Sequence, residues 1–402
     1  MRSAGLTTLF VYSHKTSSFL LNDEFKFLKN KRIGLIINHT SKIPLNELRE
    51  YTSNIPTTTY GLFKNANLNV VRIFSPEHGF SGQYAAGEEV PSTSEIVSLY
   101  GKNKVPQDEH LKDIDVLIFD IQDIGARYYT YLSTMKLCME KAAQNNISFI
   151  VLDRPNPLGR KIEGSVLDLE YSSFVGMNPI PARHGMTAGE MALFIKQNNL
   201  IQSASTLPLQ IIIGQNWDQD YSIGGRCKTD FEQTSPNIPS LNHALIYVGT
   251  CLLEGTNISE GRGTDNPFKL FGAPWLNSKK IIKELEKYNF KGVEFVERSF
   301  TPNSSKYSDV ECNGIEIAIT ASRTNLDQID SFKIGMAIIN EIYKAHSNKF
   351  EFKASFFDKL YGSSDLRLSI LNGDNLNQLM KKNENDREDF KKMRDCLWLY
   401  GC

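Results

Sequence analysis

The chain has 402 residues, of which 41% are hydrophobic and 23% are charged, and its formal net charge is −1. This is the composition of an ordinary globular protein, and the length suffices for two or three domains. The near-zero charge predicts neither a nucleic acid nor an anionic membrane as partner, and no apolar run approaches the roughly 20 residues that span a bilayer. The six cysteines are scattered without a Cys-x-x-Cys pair, which predicts neither a zinc site nor a disulfide scaffold.

The N-terminus carries a short, mildly apolar run at residues 5–12, directly after Met1-Arg2 and two small residues. The run is a poor signal-peptide core, and no clear small-residue cleavage site follows it. Taken alone, this N-terminus favours a cytoplasmic or already processed chain.

The first part of the chain alternates strand-like and helix-like patterns. Strands are predicted at 33–37, 68–73, 116–119, 149–152 and 209–213, and helices at 45–51, 129–144 and 188–197. Such alternation predicts a parallel sheet with helices on both faces, and near-continuous apolar strands are expected when both faces are covered. We therefore predict the α/β class, with a Rossmann-like, doubly wound, mostly parallel sheet over residues 1–242.

The pattern changes after the Ser-Pro-Asn-Ile-Pro-Ser segment at 235–240, which we take as the domain boundary. Helices are predicted at 244–253, 279–287, 328–345 and 376–397, and strands at 292–297 and 314–321. This order predicts a smaller α+β domain over residues 243–402.

Four predicted strands end in polar, reactive side chains. The residues that follow them are His39 after the first, Glu77 and His78 after the second, Asp120 and Asp123 after the third, and Asp153, Arg154 and Asn156 after the fourth. In an open α/β sheet, ligands bind in the crevice outside the carboxyl ends of the strands. The sequence therefore predicts one polar crevice that gathers acids, imidazoles and an arginine.

Several of these residues also have purely structural interpretations. Asp120 and Asp123 could stabilise a helix N-terminus, and the Asp-Arg pair at 153–154 could form an internal salt bridge. Glu190 closes a Thr-x-x-Glu capping box, so we assign it a structural role. His184 lies just before that helix, where an anion could meet free N–H groups.

The segment at 254–264 holds three glycines among acids, amides and an arginine. Such a segment has little to bury, and a surface loop is the simplest interpretation. The density of Asn257, Glu260 and Arg262 nevertheless favours a binding loop contributed by the second domain.

Three common site motifs are absent. The first strand is not followed by Gly-x-Gly-x-x-Gly, and the chain has neither a P-loop nor a Gly-x-Ser-x-Gly elbow. We therefore predict no nucleotide cofactor. His39, His78, His184 and Asp120 could together bind a metal, but their spacing fits no compact ligand motif, and we predict no metal site.

Six motifs, in one order along the chain, resemble the NamZ-type exo-β-N-acetylmuramidases. They are Ser-Pro-Glu-His-Gly at 75–79, the run at 119–131, Leu-Asp-Arg-Pro-Asn-Pro at 152–157, His-Gly-Met-Thr at 184–187, Ser-Pro-Asn at 235–237, and the glycine-containing loop at 254–264. The resemblance implies an active-site cleft between a Rossmann-like domain and a smaller one. It also implies release of N-acetylmuramic acid from the non-reducing ends of peptidoglycan fragments, outside the cytoplasm.

One stretch departs from the family pattern. Where relatives tend to have a Leu-Pro-Trp run, this chain has Cys-Lys-Thr-Asp-Phe-Glu-Gln-Thr at 227–234. If that tryptophan shapes a sugar subsite, substrate preference differs here.

Glycosidic bonds are usually cleaved by two carboxyl groups, one of which protonates the leaving oxygen. We predict Glu77 as this general acid, with His78 beside it. Asp120 or Asp123 would be the second carboxylate or would stabilise the oxocarbenium-like centre, and the acetamido group of the substrate could assist instead.

The remaining candidates bind the sugar. Arg127, Arg154 and Arg262 are candidates to pair with the lactyl carboxylate, because a guanidinium can hold a carboxylate in bidentate fashion. The other predicted substrate-binding residues are His39, Asn156, His184, Asn257 and Glu260. Two alternatives remain at this stage: a metal-dependent hydrolase, and a muropeptide-binding protein without activity.

Overall fold

The computed structural model of the protein describes residues 24–42, 58–81, 96–213 and 231–400. The apolar run at 5–12, the helix predicted at 45–51 and residues 227–230 of the divergent stretch lie outside these ranges. Within them, no helix is both long and apolar enough to cross a membrane.

The first part of the chain builds a six-stranded, fully parallel sheet. The elements of this part are β1 (Ile33–Ile37), α1 (Thr59–Asn65), β2 (Val70–Ser75), β3 (Ile96–Ser98), β4 (Val116–Asp120), α2 (Tyr131–Gln144), β5 (Ser148–Leu152), β6 (Glu163–Val166), β7 (Pro181–Arg183), α3 (Ala188–Gln197) and β8 (Leu209–Ile212). Of these, β6 and β7 form a separate antiparallel pair. The strand order is β3-β2-β1-β4-β5-β8, and each neighbouring pair is parallel. This order is that of a doubly wound, Rossmann-like sheet, which confirms the predicted fold class.

The two faces of this sheet are buried in different apolar clusters. Leu35 of β1 packs in one cluster, and its neighbour Ile36 packs in the other. Ile118 and Phe119 of β4 divide in the same way. Side chains along a strand alternate between faces, so a strand covered on both sides must be apolar throughout, as these strands are.

The second part forms a smaller α+β unit. Its elements are α4 (Leu241–Thr250), β9 (Leu270–Ala273), α5 (Ser278–Glu286), β10 (Val293–Phe300), β11 (Cys312–Ile319), α6 (Ser331–His346), α7 (Ala354–Tyr361), α8 (Asp365–Asn372) and α9 (Leu376–Asp395). The strands form an antiparallel sheet in the order β10-β11-β9. The α+β character predicted for this part is confirmed.

The two parts share one apolar core. A single cluster of buried side chains extends from Ile36 to Tyr400 and includes members of both sheets. The chain end also returns to the first part, where the Tyr400 hydroxyl donates to Asp153 Oδ2 over 2.7 Å. The division at residues 242 and 243 stays a prediction, and the relative placement of the two parts is fixed by extensive packing.

Candidate active site

The crevice lies where the strand order reverses. In a doubly wound sheet, the reversal leaves a gap above two neighbouring strands, which here are β1 and β4. Because β2, β1, β4 and β5 are parallel neighbours, the residues that follow them emerge at one edge of the sheet. The predicted common edge for His39, Glu77, Asp120 and Asp153 is therefore observed.

Glu77 is presented by a tight turn at the end of β2. The Gly79 N–H donates to the Pro76 carbonyl over 3.1 Å, and His78 has a φ of +69°. A turn with positive φ at its third residue usually places Gly or Asn there, so a histidine at this position is uncommon. The Glu77 side chain is 8% exposed, and its Oε2 accepts a 2.6 Å hydrogen bond from the Thr130 hydroxyl.

Two tyrosines of the segment after β4 pack beside Glu77. The rings of Tyr129 and Tyr131 meet edge to face, and their hydroxyls donate to Thr234, one to the side chain and one to the carbonyl. Burial, aided by the Glu77 carboxylate, raises the pKa of both hydroxyls. The charge of Asp123 raises the pKa of Tyr131 further.

Asp123 and His184 form a second buried pair of polar side chains. Asp123 Oδ2 accepts the Gly125 N–H over 2.7 Å and lies 3.7 Å from His184 Nε2. His184 Nδ1 accepts the Met186 N–H, so the ring proton of neutral His184 is on Nε2, which faces Asp123. Asp123 Oδ1 and His184 Nε2 are both buried without a hydrogen-bond partner in the described structure. Unpartnered buried polar atoms are costly, and two together are typical of a site that completes its bonds with a ligand.

His39 lies at the end of β1, at the rim of the crevice. Its Nε2 donates to the Gln233 carbonyl over 2.8 Å, and burial lowers the pKa of the imidazole. The ring is therefore neutral near pH 7, and its buried Nδ1 has no partner in the described structure. This Nδ1 could accept a hydrogen bond from a sugar hydroxyl.

Asp120 is not available as the second carboxylate, contrary to one of the two alternatives. Its Oδ1 accepts from Arg154 Nε over 2.6 Å, and its Oδ2 accepts from the Thr59 hydroxyl. With both oxygens engaged and the residue 1% exposed, Asp120 anchors Arg154 instead of reaching a substrate. The salt bridge predicted between Asp153 and Arg154 is also wrong, because Arg154 pairs with Asp120.

Asp153 is a structural anchor at the start of α3. It accepts hydrogen bonds from the Gly189 N–H, the Thr187 hydroxyl and the Tyr400 hydroxyl, each over 2.7 Å. Burial raises its pKa to about 7. The capping box predicted for this helix is confirmed, since Thr187 and Glu190 exchange side-chain-to-backbone hydrogen bonds.

Arg127 does not face the crevice, which corrects its prediction as a substrate ligand. Its guanidinium donates to four backbone carbonyls, those of Ser165, Ile180, Leu360 and Tyr361. The residue is 3% exposed, and burial lowers its pKa to about 10. Arg127 therefore joins the two parts of the chain.

The loop at 254–264 is organised by its own charges. Arg262 pairs with Glu254 over 2.6 Å and with Glu260 over 3.3 Å, and Lys306 pairs with Glu260 over 2.9 Å. The side chain of Asn257 bonds the backbone of Lys349 and Glu351. These contacts give Asn257, Glu260 and Arg262 structural roles in place of the predicted substrate-binding ones.

This loop still approaches the crevice through a row of aromatic rings. The Arg262 guanidinium lies 5.0 Å from the Phe268 ring centroid. The ring centroids of Phe268 and Tyr247 are 4.7 Å apart. The ring centroids of Tyr247 and Tyr129 are 6.3 Å apart, in an edge-to-face arrangement. The loop thus supports the wall of the site without contacting Glu77 directly.

Asn156 also has a structural role instead of the predicted substrate contact. Its Oδ1 accepts the Leu158 N–H, and its Nδ2 donates to the Met186 carbonyl. Gly125, with a φ of +84°, lies so close that any side chain there would overlap Asn156. Asn156 therefore fixes the turn that carries Asp123.

Two family models cover almost the whole described chain. The model described as exo-beta-N-acetylmuramidase NamZ, N-terminal, matches residues 33–242, and its C-terminal counterpart matches residues 245–400. The chain belongs to the exo-β-N-acetylmuramidase NamZ family. This confirms the resemblance drawn from the six sequence motifs.

Three individual proteins are similar to this chain over nearly its full length. The peptidoglycan beta-N-acetylmuramidase NamZ of Bacillus subtilis (strain 168) is 38% identical over 396 residues, which are 95% of this chain and 90% of that protein. A crystal structure of a DUF1343 family protein from Bacteroides fragilis NCTC 9343 is 30% identical, with a TM-score of 0.83 over 96% of this chain and 99% of its own. A second such protein from the same organism, also 30% identical, has a TM-score of 0.72 over 94% and 96%.

Sequence reasoning missed several residues of this NamZ-family site. Thr130 holds Glu77, and Thr234 accepts hydrogen bonds from the hydroxyls of both Tyr129 and Tyr131. The Tyr-Tyr-Thr-Tyr run at 128–131 leads into α2, and its sequence alone predicts only the start of a helix. Its polar groups were the available signal, because a helix start that follows a strand end at the switch point faces the ligand.

The metal alternative finds no matching donor set. In the part of the chain that the structure describes, no group of three or more His, Cys, Asp or Glu side chains is arranged to hold a metal ion. Asp120 is paired with Arg154, and His184 faces Asp123.

Proposed function

We propose that this chain is an exo-acting β-N-acetylmuramidase, a glycoside hydrolase that releases N-acetylmuramic acid from the non-reducing ends of peptidoglycan fragments. Family membership and the name of the Bacillus subtilis relative support this reaction. The observation that supports the site is the pair of buried polar atoms Asp123 Oδ1 and His184 Nε2, which have no partner in the described structure and lie at the same sheet edge as Glu77, at the reversal point of the sheet. Glu77 and Asp123 are thus two carboxyl groups at one edge of the sheet, and a pair of carboxyl groups is what glycosidic cleavage usually employs.

In this proposal Glu77 is the general acid. Its proton moves to the glycosidic oxygen while the electron pair of the C1–O bond passes to that same oxygen, which leaves as a hydroxyl. Over the full cycle, water supplies the hydroxyl that C1 gains and the proton that returns to Glu77. The rigid turn at 76–79 holds the acid within the small tolerance that proton transfer demands.

Asp123 is the second carboxylate in this proposal. With Asp120 neutralised by Arg154, Asp123 is the acid of the β4 end whose Oδ1 has no partner in the described structure. Its negative charge stabilises the positive charge that develops on the sugar ring as the C1–O bond breaks. His184 holds the position of Asp123, because it is fully buried and directs its Nε2 at that carboxylate.

Arg154 is the best candidate for the lactyl carboxylate of muramic acid. Arg127 is engaged by backbone carbonyls, and Arg262 is engaged by the carboxylates of Glu254 and Glu260. Arg154 uses Nε for Asp120 and Nη2 for the Lys42 carbonyl, and its side chain remains 16% exposed at the crevice. Its Nη1 makes no hydrogen bond within the described residues and can meet an anion. The unpartnered Nδ1 of His39 would accept a sugar hydroxyl.

We propose a division of the chain into two units together with this function. Residues 1–242 carry the catalytic groups, and residues 243–402 form the smaller unit that completes the cleft. The row of rings from Tyr129 through Tyr247 to Phe268 supports a wall shared by the two units.

The direct test incubates the purified protein with a disaccharide that carries N-acetylmuramic acid at its non-reducing end. Free N-acetylmuramic acid should appear with the parent chain and with Glu109→Gln, a variant at an exposed acid, but not with Glu77→Gln. Binding of the disaccharide without release by the parent would support the non-catalytic alternative. Loss of release after chelation, restored by added metal, would support the metal-dependent one.

A further inference from the structure

Thr130 occupies the N-cap position of α2 but does not cap it. Its backbone is helical, with φ of −74° and ψ of −9°, and its side chain accepts no hydrogen bond from the first turn. The N-cap side chains of α1, α3 and α4 all do so: Thr58, Thr187 and Ser240 each accept a backbone N–H of their own helix. An N-cap threonine normally stabilises its helix through that bond.

The Thr130 hydroxyl instead donates to Glu77 Oε2 over 2.6 Å. This is the short distance expected when a hydroxyl donates to a carboxyl group. A residue that gives up a local stabilising role for a contact made across the fold is typical of a functional site, because local rules are most often violated there.

We propose that Thr130 is the positioning residue of the general acid, orienting the Glu77 carboxyl so that Oε1 delivers the proton to the glycosidic oxygen. The inference rests on the proposed role of Glu77. Because Oε2 is occupied by the Thr130 hydrogen bond, the transferable proton is placed on Oε1. Once the proton has moved to the departing oxygen, the same bond stabilises the carboxylate that remains.

The other groups around Glu77 do not supply this bond. The charge of Glu77 raises the pKa of Tyr129 and of Tyr131, but the hydroxyls of both tyrosines donate to Thr234. Asp123 carries no proton to donate when ionised. Among these hydroxyl groups of the described residues, Thr130 is the one that donates to the Glu77 carboxyl.

The test compares Thr130→Val with Thr130→Ser and with a matched control, Thr134→Val. Thr134 lies one turn further along α2, is fully buried, and its hydroxyl has no partner in the described structure. Thr130→Val should lose turnover of the muramic-acid disaccharide on the order of 100-fold, as a misplaced catalytic group does. Thr130→Ser, which keeps the hydroxyl, should retain most of the activity, and Thr134→Val should behave as the parent.

Two readouts separate positioning from a merely structural role. The loss in Thr130→Val should be smaller for a nitrophenyl muramide, since that leaving group needs little protonation. The basic limb of its kcat/KM profile should also move to higher pH, because a hydrogen bond donated to a carboxylate favours the ionised form. If Thr130→Val fails to fold, Thr130→Ala serves for the same measurements.

Equal turnover in Thr130→Val and the parent would overturn the inference, as would equal losses on both substrates with an unmoved basic limb. Failure of the proposed function looks different. In that case Glu77→Gln itself keeps its activity, whatever the Thr130 variants do.

Discussion

His78 adopts a left-handed backbone conformation, with φ of +69°, in the turn that follows β2. This conformation costs a residue with a Cβ about 1–2 kcal/mol relative to glycine. A strained residue persists when the surrounding structure holds it, and such residues concentrate at functional sites. Its position next to Glu77 therefore indicates that the imidazole itself is needed.

Replacing His78 by glycine should separate strain from function. The variant gains relief of backbone strain but loses entropy on folding, so its unfolding free energy should stay within about 1 kcal/mol of the parent. Turnover of the muramic-acid disaccharide should fall. Urea denaturation and a turnover assay check the two halves, and a glycine variant with full activity would remove the imidazole from the mechanism.

His243, in the first turn of α4, makes stability dependent on pH. Burial, together with the charge of Lys269, lowers its pKa to about 4. The unfolded state, with a normal histidine pKa near 6.5, then binds the proton more readily than the folded state does. The contribution of neutral His243 to the unfolding free energy is fully present above pH 6.5 and is lost as the pH falls from 6.5 to 4.

His243→Gln should reduce this acid sensitivity. Between pH 7 and pH 4.5, the unfolding free energy of His243→Gln should fall less than that of the parent, and screening by solvent reduces the expected difference to about 1 kcal/mol. Urea denaturation at the two pH values measures the difference. Parallel losses in both proteins would show that His243 is not the responsible group.

At the scale of elements, strands covered on both faces were predictable. The run Ile33–Ile37 is apolar throughout because Leu35 and Ile36 enter different clusters, and the sequence displays that directly. The short antiparallel pair of β6 and β7 was missed, since strands of four and three residues that contain Gly and Pro carry no periodic pattern. The roles of side chains at the strand ends were only partly predictable.

Arg127 shows why. Its carbonyl partners include Leu360 and Tyr361, more than 200 residues away in sequence, at separations of 233 and 234. No local pattern reports such a contact. The same holds for Thr130, whose partner Glu77 lies 53 residues away. Motif position placed the polar groups at the crevice, but which of them face the ligand depends on long-range contacts.

The charged loop at 254–264 should be a determinant of stability. Arg262→Met would leave the buried Glu260 and the partly buried Glu254 with Lys306 as the remaining cation. Because the pair is partly exposed, its loss should cost about 2–3 kcal/mol, at or below the lower end of the range for a buried pair. Arg298→Met, at the exposed pair with Glu316, should cost less than about 1 kcal/mol. Chemical denaturation compares them, and similar small losses would show that the loop is held by other contacts.

At the scale of the whole molecule, one core serves both parts of the chain. The cluster that includes β4 and α2 also includes α4, β11 and α6, and the chain end bonds Asp153 at the edge of the parallel sheet. A shared core fixes the two parts relative to each other, so the groups around Glu77 are placed before any substrate arrives. Preorganisation of this kind is how an acid is held at the tolerance that catalysis needs.

The most direct test of the account is the activity of Glu77→Gln on two substrates. The variant keeps the shape of the side chain and should fold and bind the muramic-acid sugar, but it has no acidic proton to transfer. Its turnover of the disaccharide should fall by about 100- to 10,000-fold, with a clearly smaller loss on a nitrophenyl muramide. Near-normal activity on both substrates would contradict the account and would make Asp123 the leading candidate for the acid.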